Sequence, residues 1–239
     1  MKSLLTIAFA ALLLSATPTT NDRPKPESNA KKGWKKLFDG KTKNGWHIYN
    51  NDATGELWKV EDGVLYCDVD KNKKPGVKRG GDLTTDLEYE NYHLSLEWKI
   101  SEGGNSGIIF GVHEDPKFKS SYATGMEMQV LDNEKAGDAK NPKHRAGDLY
   151  DLIKCNRETV KPAMEWNHAE VIYVNKSLTL KLNGETVVTT TVGDDQFNQL
   201  VAGSKFKNWP GFAKYSKGKI SLQDHGNLVW FRNIKIKQL

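Results

Sequence analysis

Residues 92–100 read Tyr-His-Leu-Ser-Leu-Glu-Trp-Lys-Ile, and this stretch decides the fold class. Large apolar residues occupy every second position, and His, Ser, Glu and Lys stand between them. A period of two indicates a β-strand with one buried face, because successive side chains point to opposite sides of a sheet. The stretch therefore predicts a strand that covers a hydrophobic core with one face only.

Further strand and turn signals lie on both sides of this stretch. Residues 107–112 are nearly all apolar, which is typical of a strand in the middle of a sheet with both faces buried. The dipeptides Asp62-Gly63 and Asn183-Gly184 each separate two apolar or β-branched runs, which predicts two tight hairpins. Residues 149–153 are interpreted as one more short strand.

One segment has the pattern of a helix rather than of a strand. Asp194 precedes residues 195–201, where Phe197, Leu200 and Val201 share one helical face, and Asp194 can cap the helix. Many short strands, regularly spaced turns and a single short helix predict an all-β protein. The predicted architecture is an antiparallel β-sandwich of the jelly-roll type.

The first residues have the pattern of a secretory signal peptide. Lys2 precedes an apolar run at residues 4–14 that is too short to span a bilayer, and small residues follow it. We therefore expect a signal peptide at residues 1–20, a disordered polar linker at 21–32 and a single jelly-roll domain at 33–239. The expected location is the periplasm or the outside of the cell, without membrane insertion after cleavage.

Charge and cysteine usage narrow the classes of function. The net charge is +5, of which Lys2 and residues 21–32 carry +1 and +2, so the remaining chain is near +2. This small excess disfavours nucleic-acid binding. Cys67 and Cys155 could pair in an exported protein, or they could remain buried free thiols.

Residues 124–132 contain a second alternating strand, with a polar half. Glu127 and Gln129 point away from the side of Met126, Met128 and Val130, and they lie about 7 Å apart along the strand. A face exposed to water is the common explanation of such a pattern. A carboxylate and an amide in one row also suit the floor of a binding site.

Gln223 and His225 repeat this design, because a spacing of two places both on the same side of a strand. They could instead be a polar strand end. His144, in the long loop after Asp132, can reach the same face only if that loop folds over it. Glu127, Asp132, His144 and His225 form a possible ligand set for a divalent metal ion, although their spacing is not a compact metal motif.

Other candidate ligand-binding residues lie in loops. Tyr150 follows the long loop, Arg79 lies in a glycine-rich loop, Lys161 lies near Trp166, and Trp209 could stack on a sugar ring. A solvated Arg79 and a loop anchored by Trp166 are the alternatives. The sequence contains no nucleophile elbow, phosphate loop or zinc-protease motif, which leaves carboxylate, histidine and amide chemistry on a sheet face.

Several ordered motifs resemble the 3-keto-disaccharide hydrolase family over nearly the whole domain. They are Leu37–Lys41, Gly45-Trp46, Gly104–Gly107, Glu127–Asp132, Gly147–Asp151, Lys161-Pro162, Glu165–Asn167, Leu182–Gly184, Leu222–Gly226 and Phe231–Ile234. The resemblance implies a concanavalin or laminin-G-like jelly roll, often exported, and a glycosyl hydrolase. The implied substrate is an oxidised glucoside or disaccharide, with a ketone at C3 of the sugar.

The resemblance also implies a mechanism: abstraction of the C2 proton, elimination of the C1 substituent and addition of water. In this chain Glu127 or His144 would be the base. Gln223, His225 or a metal held by Glu127, Asp132 and a histidine would stabilise the enolate oxygen. Gln129, Gln223, Tyr150, Arg79, Lys161 and Trp209 are the expected substrate-binding residues.

Two alternatives belong to other classes of protein. A laminarinase-like retaining glycosidase would carry Glu-x-Asp-x-x-Glu, but here the strand reads Glu127-x-Gln129-x-x-Asp132. Retention also requires two carboxylates about 5–5.5 Å apart. A non-catalytic carbohydrate-binding module would present exposed aromatic residues without clustered Glu and His.

Overall fold

Antiparallel strand pairing organises the chain in the computed structural model, which describes residues 33–51, 55–69 and 80–239. The expected signal peptide, the expected linker and Arg79 lie outside these residues. The strands are β1 (Lys35–Lys36), β2 (Trp46–Ile48), β3 (Trp58–Glu61), β4 (Val64–Cys67), β5 (Leu83–Thr85), β6 (Tyr92–Ile100), β7 (Asn105–Val112), β8 (Met126–Leu131), β9 (Asn167–Val174), β10 (Ser177–Leu182), β11 (Glu185–Thr191), β12 (Lys219–Leu222) and β13 (Val229–Gln238). The described residues also contain one α-helix, α1 (Asp195–Ala202), and short 3-10 helices at Ser121–Ala123, Gly137–Lys140 and Lys205–Asn208.

The strands form two sheets. The larger, eight-stranded sheet has the order β11-β10-β9-β6-β13-β4-β3, and β1 also pairs with β13. The smaller, five-stranded sheet has the order β2-β5-β12-β7-β8. Every named pairing is antiparallel. The predicted all-β jelly-roll sandwich with one short helix is confirmed.

The hydrophobic core lies between the two sheets. Leu96 and Trp98 of β6 enter it from the larger sheet, while Phe110 of β7 and Met128 of β8 enter it from the smaller sheet, and all four are fully buried. As predicted from its alternating sequence, β6 covers the core with one face. Its apolar half faces the opposite sheet because only that arrangement removes both hydrophobic faces from water.

The predicted turns and helix cap are present. Asn183 (φ 52°) and Gly184 (φ 88°) link β10 to β11 in the left-handed backbone conformation that a type I′ hairpin turn requires. Asp62-Gly63 links β3 to β4 in the same way. The Asp194 carboxylate accepts a hydrogen bond from Phe197 N at 2.7 Å and so caps α1.

The expected strand at residues 149–153 is wrong: this segment is a tight turn. Leu149 makes isolated bridges to Met128 and Ile153, and Asp151 has a positive φ of 59°. The preceding backbone runs along β8 instead, with Gly147 N donating to Gln129 O at 3.0 Å. Tyr150 N donates to Glu127 O, also at 3.0 Å. Residues 147–150 therefore cover the outer edge of β8 and bring Tyr150 beside Glu127.

Both cysteines, Cys67 and Cys155, are buried free thiols. Burial and the neighbouring carboxylate of Asp224 raise the pKa of the Cys67 thiol, so it behaves as an inert core residue. Residues Lys32–Leu239 form one compact unit. In the described ranges, no helix combines the length and the apolar character needed to cross a membrane.

Candidate active site

A polar pocket of about 140 Å³ lies on the face of the five-stranded sheet that is turned away from the core. The residues that line it come from six separate parts of the chain. They are Asn105, Tyr122, Glu127, Gln129, Tyr150, Lys205, Gln223 and His225. Four predicted site residues of the two polar rows, Glu127, Gln129, Gln223 and His225, are thus brought together, and Tyr150 joins them.

The floor of the pocket depends on the absence of a side chain at Gly107. In the sheet, Gly107 pairs with Gln129, and Gly107 O accepts a hydrogen bond from Gln223 N at 3.0 Å. A Cβ atom at position 107 would lie 2.2 Å from Oε1 of Glu127 and 2.8 Å from its Cγ. The Glu127 side chain therefore lies flat over the glycine backbone, in space that any other residue would fill.

Two amide oxygens in the pocket have no hydrogen-bond partner among the described residues. Oε1 of Gln129 and Oε1 of Gln223 are both buried and unpaired. Nε2 of Gln129 donates to Oδ1 of Asn105 at 3.1 Å, which orients the free oxygen of Gln129. A buried unpaired acceptor costs about 1–3 kcal/mol, and such atoms in a pocket indicate a ligand that supplies donors. Sugar hydroxyl groups are suitable donors.

Glu127 is the carboxylate of this pocket. Its side chain is buried, at 7% exposure, and makes no hydrogen bond or ion pair within the described part of the chain. Burial raises the pKa of Glu127 to about 8, and the Lys205 ammonium partly counteracts this rise. Near pH 7 a large share of Glu127 is therefore protonated, and the group can both give and take a proton.

Lys205 provides the positive charge opposite Glu127. Its Nζ atom lies 4.1 Å from the ring centroid of Tyr150, a cation–π contact, and Lys205 N donates to Oδ2 of Asp151 at 2.8 Å. Burial lowers the pKa of Lys205, while the charge of Glu127 opposes that change.

The sequence did not mark Lys205, Tyr122 and Asn105 as site residues. Asn105 lies in one of the recognised motifs, but no local pattern marks the other two.

His144 does not line the pocket. Its Nδ1 lies 2.8 Å from Oδ1 of Asp138, and its Nε2 lies 3.1 Å from Oδ1 of Asp151. Its ring stacks on Tyr150 with a centroid distance of 4.2 Å. His144 thus supports Tyr150 from behind, and Asp151 joins this support to the backbone of Lys205.

The expected metal-ligand set of Glu127, Asp132 and His144 is not assembled. Oδ2 of Asp132 accepts from Gly103 N at 2.7 Å, and its Oδ1 accepts from Glu134 N at 3.1 Å, so Asp132 holds two loops together. His144 is bound between two aspartates. Within residues 33–51, 55–69 and 80–239, no three His, Cys, Asp or Glu side chains are arranged to hold a metal ion. The residues therefore do not fit the metal.

Asp82 joins two walls of the pocket. Its carboxylate accepts hydrogen bonds from Ser121 Oγ, next to Tyr122, and from Asp224 N, between Gln223 and His225. Burial raises the pKa of Asp82 to about 6. His225 is exposed at the mouth of the pocket, where Gly226 N donates to the Asp224 carboxylate and so fixes the turn that follows it.

The remaining predicted binding residues lie elsewhere. Lys161 is exposed, and its backbone N donates to Oδ1 of Asn167 at 2.8 Å. Trp209 lies against Tyr122, with ring centroids 5.8 Å apart, and lines a neighbouring depression rather than the pocket. Arg79 lies outside the described residues.

A jelly roll with such a polar pocket on its smaller sheet has the architecture of a carbohydrate-active enzyme, and comparisons with known proteins agree. The 3-keto-alpha-glucoside-1,2-lyase-like domain family matches residues 33–237, so the chain belongs to this family. A 3-keto-disaccharide hydrolase from Bacteroides thetaiotaomicron is 34% identical over 87% of this chain and 79% of its own length.

Solved structures agree with this assignment. A protein from Parabacteroides distasonis, provisionally named a glycosyl hydrolase, is 30% identical with a TM-score of 0.78 and covers 90% of this chain and 98% of its own. A Bacillus subtilis protein with a galectin-like fold has a TM-score of 0.51 at 12% identity, covering 81% of this chain and 89% of its own, and shows the fold alone. The chain is thus a carbohydrate hydrolase with a jelly-roll fold.

Replacing Gly107 should displace Glu127 without disturbing the sheet. In Gly107→Ala the new Cβ overlaps the Glu127 side chain, which must rotate toward solvent. We therefore expect the pKa of Glu127, followed by carboxyl ¹³C NMR, to fall from about 8 toward its ordinary value of 4.5. Gly137→Ala, where a Cβ meets nothing within 4 Å, is the matched control. An unchanged Glu127 pKa in Gly107→Ala would contradict this account of the floor.

The raised pKa of Glu127 should make stability depend on pH. Because the folded protein holds this proton up to about pH 8 and the unfolded chain only to about 4.5, Glu127 lowers stability as pH rises between these values. The difference in free energy of unfolding between Glu127→Gln and wild type should therefore increase by about 4 kcal/mol, in favour of the variant, from pH 5 to pH 9. Urea titrations at both pH values measure this difference.

A matched control for the pH dependence is Glu134→Gln, which changes an exposed carboxylate near the same strand. Its pH profile should run parallel to that of wild type. Parallel profiles for wild type and Glu127→Gln would show that Glu127 is ionised normally in the folded protein, contrary to the prediction.

Proposed function

We propose that this enzyme cleaves glycosides whose sugar carries a ketone at C3, by proton abstraction at C2, elimination and hydration. The observation that carries the proposal is the buried Glu127 carboxyl, with a pKa of about 8, in one pocket with the Lys205 ammonium. Family membership supports the same reaction, because the family is described as 3-keto-alpha-glucoside-1,2-lyase-like.

In the first step, Glu127 removes the proton from C2. The ketone at C3 acidifies this hydrogen because the electron pair of the C2–H bond can form a C2=C3 double bond, with negative charge on the C3 oxygen. A base with a pKa near the working pH is the most effective one for such a transfer. The burial that raises the pKa of Glu127 therefore suits it to this step.

Lys205 stabilises the enolate oxygen. Its ammonium is held over the Tyr150 ring and has no carboxylate within ion-pair distance among the described residues, so its charge is available to the substrate. A fixed positive charge in a partly dehydrated pocket stabilises a developing oxyanion more than water does. Tyr150 and the supporting His144 fix the position of the ammonium.

In the second step, the enolate electrons return, a C1=C2 bond forms and the C1–O bond breaks. The leaving oxygen takes a proton, and His225 at the mouth of the pocket is the proposed donor. The hydroxyl of a water then adds to C1, and the remaining proton of that water goes to His225, which restores the donor. Glu127 exchanges its proton with solvent and protonates C2, so the net reaction is hydrolysis. Gln129 and Gln223 hold the sugar through their unpaired amide oxygens, which accept hydroxyl protons.

Kinetics on a 3-keto-glucoside test these roles. We expect Glu127→Gln to lower kcat about 10³-fold and Lys205→Met about 10²-fold or more, because each loses one element of proton transfer or charge stabilisation. His144→Ala should lower kcat less than either of these variants does, because His144 acts only through Tyr150. Lys140→Met, an exposed lysine in the Gly137–Lys140 helix, is the charge-matched control.

Isotope labelling separates this reaction from the other classes. In D₂O the product should carry deuterium at C2, and the unoxidised glucoside should not be cleaved. Cleavage of the unoxidised glucoside without label would instead establish an ordinary glycosidase, although no second carboxylate lines the described pocket. Binding of the 3-keto-glucoside without turnover by wild type would establish a binding module. Full activity of Glu127→Gln would remove the assigned base.

We also propose export to the periplasm or beyond, supported by the signal-peptide pattern of residues 1–20. The mature protein should lack these residues by mass spectrometry. Leu13→Arg, which breaks the apolar run, should leave the precursor uncleaved inside the cell, whereas Thr19→Arg, after the run, should permit export. Recovery of the full-length wild-type chain from the cytoplasm alone would refute export.

A further inference from the structure

A second and larger depression, of about 610 Å³, lies beyond the Tyr122–Trp209 ring contact. Trp209 lines this depression, whereas Tyr122 lines the catalytic pocket. We call this larger depression the lysine groove. Its lining includes three lysines and six aromatic residues, of which three carry a polar atom on the ring; the lysines and these three are Lys176, Lys207, Lys214, Tyr173, Trp209 and Tyr215.

The side chains that line the lysine groove carry positive charge without negative charge, while burial and the Glu90 carboxylate outside the lining raise the pKa of Tyr173. No Asp or Glu lines it, and none of Lys176, Lys207 and Lys214 has an ion pair within the part of the chain that the structure describes. The nearest acidic residue in sequence, Asp194, caps α1 instead. Lysines that share one depression without a counter-charge repel one another, and a bound anion relieves that repulsion.

The aromatic residues give the groove a second property. Trp209 is half-buried. Its ring contacts Tyr122 and the edge of Phe206, whose ring plane is inclined by 79° to that of Trp209. Tyr215 stacks one face on His113 with a centroid distance of 4.1 Å, and the residue is partly exposed where it lines the groove. Flat apolar surfaces with a few polar groups suit the faces of a ring-shaped ligand.

The groove is also linked to the catalytic pocket through one 3-10 helix. Lys205 of this helix lines the catalytic pocket, and Lys207, two residues later, lines the lysine groove. Phe206 between them is buried and stacks on Phe212 at 3.9 Å, which holds the helix in place. A ligand in the groove would therefore lie next to the site of reaction.

We propose that the lysine groove is a second carbohydrate-binding site, and that it takes a negatively charged sugar residue. The lysines bind the acidic group, and the partly exposed rings of Trp209 and Tyr215 contact the sugar ring. The acidic sugar can be the leaving-group end of the substrate itself or part of a separate glycan. Both sources present the same chemistry to the groove.

Calorimetric titration with a disaccharide that ends in glucuronic acid tests the proposal, with the matched neutral disaccharide beside it. We expect the acidic disaccharide to bind at least ten-fold more tightly than the neutral one, and less tightly as salt increases. Lys207→Ala combined with Lys214→Ala should weaken its binding at least ten-fold. Lys176 is left unchanged because its φ of 68° makes it part of a strained turn.

Two further variants complete the test. Lys41→Ala combined with Lys140→Ala removes the same charge from exposed positions outside the groove and should leave binding unchanged. Glu127→Gln should also leave it unchanged, because Glu127 lies in the other pocket. Absent binding, equal binding of both disaccharides, or binding that responds to Glu127→Gln and not to the groove lysines would each overturn the proposal.

Kinetics then identify the source of the acidic sugar. If the groove holds the leaving group, the groove double variant raises KM for a 3-keto-glucoside with an acidic leaving group and not for one with a neutral leaving group. If the groove holds a separate glycan, both KM values stay unchanged while calorimetric binding is still lost. This last comparison rests on the proposed function, whereas the calorimetry does not and remains decisive if that function fails.

Discussion

The burial of the Glu127 carboxyl over the backbone of Gly107 is the constraint on which the site depends. Three strands of the smaller sheet meet there, and the glycine leaves room for the side chain. Because the carboxyl is buried in this space and has no ionic or hydrogen-bonding partner in the described ranges, its charged form is disfavoured and its pKa rises to about 8. A residue with any side chain at position 107 would remove both the space and the raised pKa.

The groups that surround this carboxyl also lower the stability of the folded protein. Within the part of the chain that the structure describes, the amide oxygens of Gln129 and Gln223 have no partner, Asp82 is buried with a raised pKa, and Lys205 is partly dehydrated. Each of these features costs free energy, which a bound ligand can recover. The core between the sheets offsets the cost, because its large side chains, such as Trp98 and Phe110, are fully buried.

Support for the site comes from neighbours that never reach the pocket. Asp138 and Asp151 hydrogen-bond His144, which stacks on Tyr150. The Tyr150 ring in turn makes a cation–π contact with the Lys205 ammonium. This arrangement explains why the expected metal ligands are not brought together. His144 has the right chemistry for a ligand, but its ring nitrogens are already occupied by two aspartates, and Asp132 is similarly occupied by loop backbone.

The sequence by itself determined most of the strands, the hairpins, the capped helix and the polar row of Glu127 and Gln129, because all of these follow from local periodicity and turn chemistry. The expected strand at 149–153 was wrong, and Gln223 and His225 follow β12 rather than form part of it. Together with the family resemblance, these residues led to the prediction that Glu127, Gln129, Gln223 and His225 serve one site. Only the tertiary structure decided that this face is buried, that Lys205 stands opposite Glu127, and that His144 and Asp132 serve as supports. Those outcomes depend on contacts between residues far apart in the chain, for which local sequence carries no signal.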